Sequence, residues 1–261
     1  MPSISNSDDL AGQVAVVTGA AQGIGAAICA TLADHGVTIV AMDIQPAPLQ
    51  RLAEDLAGAH PVVVDVRDAP AVRTAIDTIA EQFGGIDILI AAAGVLRTGP
   101  ATEITAPDWR EVMAVNLDAV MHTCQAAAQH MIPRRRGTII AVASNAASVP
   151  RMNMAAYAAS KAATRMFIKC LGLELAVHGI RCNTVSPGST DTSMQRQLWT
   201  SPDDAHAVIT GSLARFRPGI PLGRIATPAD IADAVLFLAS ARARHITMHD
   251  LIVDGGASLS G

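Results

Sequence analysis

The chain has 261 residues, enough for one large α/β domain or two small ones. Half of it is hydrophobic but only 3% is aromatic, so the core must rest on Ala, Val, Ile and Leu, which suits helices packed tightly on a parallel sheet. A net charge of −4 gives no electrostatic case for binding nucleic acid or an anionic membrane.

In chain order, Met1 to Leu10 holds Asp8 and Asp9 without an apolar stretch, so no secretory signal is expected. Short β-branched runs then predict strands at Val14–Thr18, Thr38–Asp43, Pro61–Asp65, Ile86–Ala91, Thr138–Ala143, Arg181–Val185 and Leu251–Val253. Between them, helical periodicity predicts Ile24–His35, Pro48–Ala57, Ala69–Phe83, Ala106–Ile132 with a break near Val112, Ala155–His178 and Pro228–Ala239. Strands joined by helical crossovers form a parallel, doubly wound sheet of about seven strands with helices on both faces. No linker or repeat divides it, so a single α/β domain over residues 1–261 is expected.

Three stretches stand apart from that rhythm. Arg134-Arg135-Arg136 forms a basic cluster in a predicted loop and is read as solvated. Ser189 to Pro221 is polar and weakly periodic, and it leaves the carboxyl end of a strand, where ligands of such sheets bind. It is read as a substrate lid. Cys29, Cys124, Cys170 and Cys182 are far apart and show no metal or redox spacing, so packed, reduced thiols and no metal are expected. No apolar run reaches the ~18–20 residues that span a bilayer. The expectation is a cytoplasmic protein without a membrane or nucleic-acid partner.

Thr18-Gly19-Ala20-Ala21-Gln22-Gly23-Ile24-Gly25 joins the first strand to the first helix. Glycines there permit a tight turn and close approach of a pyrophosphate, which the helix N-terminus then holds. This marks the sheet as Rossmann-type. Asp43 ends the second strand, where a carboxylate accepts from ribose hydroxyls and repels a 2′-phosphate, so NAD is expected over NADP. Asp65-Val66 stands at the end of the third strand, within reach of an adenine.

Tyr157 and Lys161 are four residues apart and share a helix face, thirteen positions after Ser144. A phenol ionises near ~10. An ammonium about 4 Å from it is worth about 4 kcal/mol at an effective dielectric near 20, or roughly three pKa units. Such a tyrosine can take a proton from an alcohol, which points to oxidation at a carbinol.

Gly19, Gly23, Gly25, Asn116, Ser144, Tyr157, Lys161 and Pro187-Gly188, in this order, resemble the short-chain dehydrogenase/reductase superfamily over nearly the whole chain. The resemblance implies that Ser144 polarises the substrate oxygen, Tyr157 is the acid/base, Lys161 tunes the tyrosine and holds the nicotinamide ribose, and Asn116 anchors a relay water. It further implies cofactor contacts from Gln22, Ile24, Gly94, Gly188 and Thr190, and a homotetramer. Where the family has Asn-Asn-Ala-Gly, this chain has Ala91-Ala92-Ala93-Gly94, which removes an amide hydrogen bond.

Cys182 to Thr192, with Met194-Gln195, Leu198-Trp199, Gly219 to Leu222, His245-Ile246-Thr247 and Val253 to Gly256, is similar to one group within it. That group is the 2,3-dihydro-2,3-dihydroxybenzoate dehydrogenases of catecholate siderophore pathways. It implies a cyclic alcohol substrate with a carboxylate, contacted by Ser144, Met194 and either Arg97 or Arg151 in a bidentate pair. Two other readings stand beside it: a carbonyl reductase of the 3-oxoacyl carrier-protein reductase type, and a non-catalytic dinucleotide-binding protein.

Overall fold

The computed structural model describes residues 10–56, 58–199 and 204–259. Ala57, the predicted end of the second helix, lies outside them, as do residues 200–203 of the predicted lid and nearly all of the acidic N-terminal stretch.

Seven strands form: β1 (Val14–Thr18), β2 (Thr38–Asp43), β3 (His60–Val63), β4 (Ile88–Ala91), β5 (Gly137–Val142), β6 (Ile180–Pro187) and β7 (Asp250–Val253). Every pair is parallel and the order is β3-β2-β1-β4-β5-β6-β7. The order reverses between β1 and β4. Successive side chains on a strand point to opposite faces, so each strand feeds two cores. Val16 and Met42 face one, with Ile76, Cys124 and Ile168; Ala15 and Ile39 face the other, with Ile28, Leu32 and Val235.

The helices are α1 (Gly23–Ala33), α2 (Pro46–Asp55), α3 (Ala69–Phe83), α4 (Ala106–Met113), α5 (Ala119–Arg134), α6 (Ala155–Leu175), α7 (Ser193–Arg196), α8 (Asp204–Thr210) and α9 (Pro228–Ala239). Local chemistry sets their starts. Asp68 accepts from Ala71 N to cap α3, Thr105 accepts from Asp108 N to cap α4, and Thr227 with Asp230 forms a capping box before α9. β1 and β2 keep their predicted bounds and the other strand edges move by at most two residues; β6 runs two residues further, so that Pro187 pairs with Val253.

Two predictions need correcting. The helix expected to break near Val112 stays helical, and widens into a π-turn at Ala114–Asp118 between α4 and α5. Such a turn changes the facing of α5 relative to α4, and Asn116 within it is completely buried. The Arg134–Arg136 cluster is not a solvated loop. Arg134 ends α5 and bonds Asp87 at 2.8 Å and Ile86 O at 2.9 Å, Arg136 reaches Asp87 at 2.7 Å, and Arg135 donates to Val177 O. Asp87 is buried just ahead of β4 and also accepts from Val14 N, so it joins two strands to the end of α5.

Asp87→Ala is therefore expected to destabilise the fold by about 2 kcal/mol, because it strands one half-buried arginine and a backbone N–H. Arg136 is mostly exposed and adds little. Urea unfolding should show a lower midpoint with an unchanged slope.

Candidate active site

A single cavity of about 1000 Å³ runs along the carboxyl ends of the strands, from the turn after β1 to the segment after β6. Gly19, Gln22, Gly23, Ile24, Gly25, Asp43, Asp65, Val66, Gly94, Gly188 and Thr190 all line it, as do Ser144, Arg151, Tyr157, Lys161 and Met194.

The turn after β1 presses against the turn after β4. Gly19 sits at φ 68°, and a Cβ there would lie 2.7 Å from Ala93 Cα, so glycine is required on both counts. The Thr18 hydroxyl accepts from Ala92 N at 3.2 Å and Ala93 N at 3.3 Å. Thr18 thus ties down the loop in which the family's amide is missing, a role that its place in the sequence does not reveal.

The dinucleotide end fits its ligand. Gln22 precedes α1 with an extended backbone and makes no side-chain cap, and the first turn carries no acidic residue. The leading N–H groups are left to an anion. Asp43 is buried and accepts from Ala21 N at 3.1 Å and Gln45 N at 2.9 Å. Each oxygen keeps a lone pair for a ribose hydroxyl. The Gln22 side chain instead accepts from Ser193 Oγ at 3.0 Å, joining the glycine turn to α7. Asp65 is gripped by Arg67, which donates to it at 2.6 Å and holds its carboxyl below the usual range.

Ser144 ends the strand-to-helix turn after β5, and its Oγ accepts from Ala146 N at 3.1 Å. That contact leaves the hydroxyl proton for the Tyr157 phenol, with which Ser144 hydrogen-bonds. Tyr157 and Lys161 sit on the first two turns of α6. The lysine is not where a simple pair would put it. Its Nζ lies 5.8 Å from the ring centroid and donates to Val142 O at 2.8 Å. Burial brings its pKa down to about 8. Burial also raises the Tyr157 phenol, and the hydrogen bond with Ser144 lowers it. Desolvation outweighs that bond in this state.

Asn116 is committed on both ends of its amide: Oδ1 accepts from Val95 N at 2.8 Å, while Nδ2 donates to Val95 O and Ser160 Oγ. Ser160 in turn donates to Tyr157 O at 2.7 Å. The π-turn residue thereby fixes the loop after β4 against α6.

The two arginines separate cleanly. Arg97 is exposed, lies outside the cavity lining and forms a fork with Glu111 at 2.8 and 2.9 Å. α4 places Glu111 beside it, so its guanidinium is already paired with a carboxylate. Arg151 lines the cavity without an ion-pair partner among the described residues. Burial lowers its pKa and Asp254 partly offsets this. Arg217, from the irregular stretch after α8, lines the same cavity and was not among the residues expected there, because nothing in its sequence pattern marks where it points. Met194 and Trp199 line it too, whereas Phe216 is exposed. Among the described residues no cluster fits a metal ion and no helix is long and apolar enough to cross a membrane.

Residues 13–203 match the family described as short chain dehydrogenase. Over 258 residues the chain is 49% identical to the 2,3-dihydro-2,3-dihydroxybenzoate dehydrogenase of Bacillus subtilis (strain 168), covering 97% of this chain and 99% of the relative. Over 249 residues it is 45% identical to the vibriobactin-specific enzyme of the same name from Vibrio cholerae serotype O1, covering 94% and 95%. A crystal structure of a short-chain type dehydrogenase/reductase from Mycobacterium marinum superposes with a TM-score of 0.89 at 32% identity, covering 98% and 99%.

Tyr157 is the chain's only tyrosine, so ultraviolet titration reads it alone. In the cofactor-free protein Lys161 loses its proton near 8 and can no longer favour a phenolate above that. The expected midpoint is above the ordinary value of 10.0, falling to it on unfolding; a folded midpoint at or below that value would contradict the burial argument.

Proposed function

The chain belongs to the short chain dehydrogenase family, and on that premise we propose that it oxidises 2,3-dihydro-2,3-dihydroxybenzoate to 2,3-dihydroxybenzoate with NAD, in the making of a catecholate siderophore. One observation carries the reading: a single cavity joins an acidic ribose end to an acid–base centre and then to an unpaired arginine. The full-length relatives named for this reaction support it.

In this reading the α1 N-terminus holds the pyrophosphate, Asp43 the adenosine ribose, and Lys161 the nicotinamide ribose. When bound, NAD supplies the acceptor for the hydride that leaves the ring carbon. Tyr157 takes the proton of the ring alcohol while Ser144 donates to the developing carbonyl oxygen. Lys161, charged below about 8, favours the phenolate that accepts this proton. Asn116, whose main-chain carbonyl accepts from Thr164 Oγ1 at 2.7 Å, anchors the relay water in this reading. The enone that results tautomerises to a catechol, and aromatisation makes the oxidation effectively one-way. Residues 189–221 act as the lid, with Met194 against the ring.

Asp43 also disfavours the carbonyl-reductase reading, since a buried carboxylate repels the 2′-phosphate of NADP. We further propose a cytoplasmic homotetramer. Exposed Met166 and Leu173 on α6, with Val177 in the 3-10 turn just after it, form an apolar strip suited to a second copy.

The test is reduction of NAD, followed by its absorbance change, with the carboxylated dihydrodiol. Wild type should prefer NAD at least about tenfold over NADP, and Asp43→Ala should narrow that ratio by weakening NAD. Tyr157→Phe should keep NAD binding while turnover falls on the order of a hundredfold or more. Equal use of the two cofactors, or near-normal turnover in the phenylalanine variant, would sink the assignment.

A further inference from the structure

We propose that Arg217 and Arg151 together form a two-guanidinium clamp for the substrate's ring carboxylate, so that the segment following α8 selects carboxylated cyclic diols. The inference rests on the oxidation proposed above and adds its specificity determinant.

Two separate segments of chain deliver the pair to one cavity. Arg151 follows the 3-10 turn that begins just after Ser144, so it belongs to the wall that carries the acid–base centre. Arg217 arrives on a built turn. Ser212 and Arg217 pair in antiparallel fashion, with Ser212 N to Arg217 O at 2.9 Å and Arg217 N to Ser212 O at 3.0 Å. Gly211 makes the turn possible: at φ 86° a Cβ would stand 2.5 Å from Arg217 O. The backbone of Arg217 is therefore held, and only its side chain is free to adjust.

Both arginines line the cavity, and among the described residues neither forms an ion pair with a carboxylate. Among the described residues the Arg217 side chain makes one polar contact, a long one of 3.5 Å to Ser189 Oγ. Burial lowers the Arg217 pKa first, and the like charges of Arg151 and Arg215 lower it further. Two half-buried like charges lining one cavity without an anion are unfavourable in the free protein. A carboxylate between them relieves that repulsion and accepts from both planar forks. A neutral polyol offers no such relief. Arg215 is exposed at the rim and contributes charge without a directed contact.

The test needs no turnover. Salicylate and phenol are titrated into the protein–NADH complex, with displacement or calorimetry as readout. Wild type should bind salicylate far more tightly than phenol. In Arg217→Ala the salicylate-over-phenol preference should fall by about 30-fold or more, with NADH affinity retained as the check on folding. Arg217→Lys should restore only part of it, and Arg215→Ala should change it less than about threefold. An unchanged preference in Arg217→Ala overturns the clamp, as does an equal loss for both probes or a larger effect from Arg215→Ala. Turnover separates this from the parent reading. If wild type oxidises the carboxylated dihydrodiol but Arg217 variants keep the preference, the clamp fails and the reaction stands. If wild type leaves the dihydrodiol untouched while salicylate binding still depends on Arg217, the reaction assignment fails and the carboxylate site stands.

Discussion

The contact between the turns that leave β1 and β4 is the constraint on which the site depends. These strands are neighbours in the sheet, yet their chains depart in opposite directions, one towards β2 and the other towards β5. At a reversal of this kind a crevice opens past the carboxyl ends. Its depth depends on how closely the two turns approach. Gly19 lies against the Ala93 backbone with no room for a side chain, and Thr18 closes the seam with two hydrogen bonds. The dinucleotide cradle hangs from one turn. Asn116 locks the other to the helix of Tyr157 and Lys161. Cofactor end and acid–base end are thus referred to the same seam, which is what hydride transfer between them demands.

Buried polar groups divide by function according to which end of the strands they occupy. At the amino end of β4, Asp87 meets two arginines and a backbone N–H, and every contact ties one element to another. At the carboxyl ends the groups are less fully paired. Lys161 donates to a carbonyl, and Arg151 and Arg217 bring like charges to one cavity. Asp254 shows the intermediate case: it accepts from Asn145, Gly256 and Ser258, and so anchors the turn that carries Ser144 to the end of the chain. Incomplete pairing costs stability in the free protein. It also leaves capacity for ligand groups that arrive later.

Much of this was legible in the chain. Hydrophobic runs alternating with helical periods determined a parallel α/β sheet, because each period matches one geometry and parallel strands need crossovers. Glycines spaced between a strand and a helix determined the pyrophosphate turn, and Asp43 at the end of the next strand followed from it. Tyr157 and Lys161 shared a face by spacing alone. What spacing could not supply was the balance of forces on them: the ammonium turned towards Val142 O, and burial rather than charge came to dominate the phenol.

Only the tertiary structure decided which arginines face the cavity. Arg97 and Arg151 looked equivalent, each one loop beyond a strand, until α4 brought Glu111 to the first and left the second open. Arg217 lay in a stretch without period, where direction is set by a glycine turn and by packing from segments far along the chain. The same holds for the π-turn that buries Asn116 and for the Arg134–Asp87 clasp. Local propensity and periodicity act over neighbouring residues and therefore survive in sequence. The direction of a long, flexible charged side chain depends on which opposite charge the fold brings nearest, and that is settled only once the chain has closed on itself.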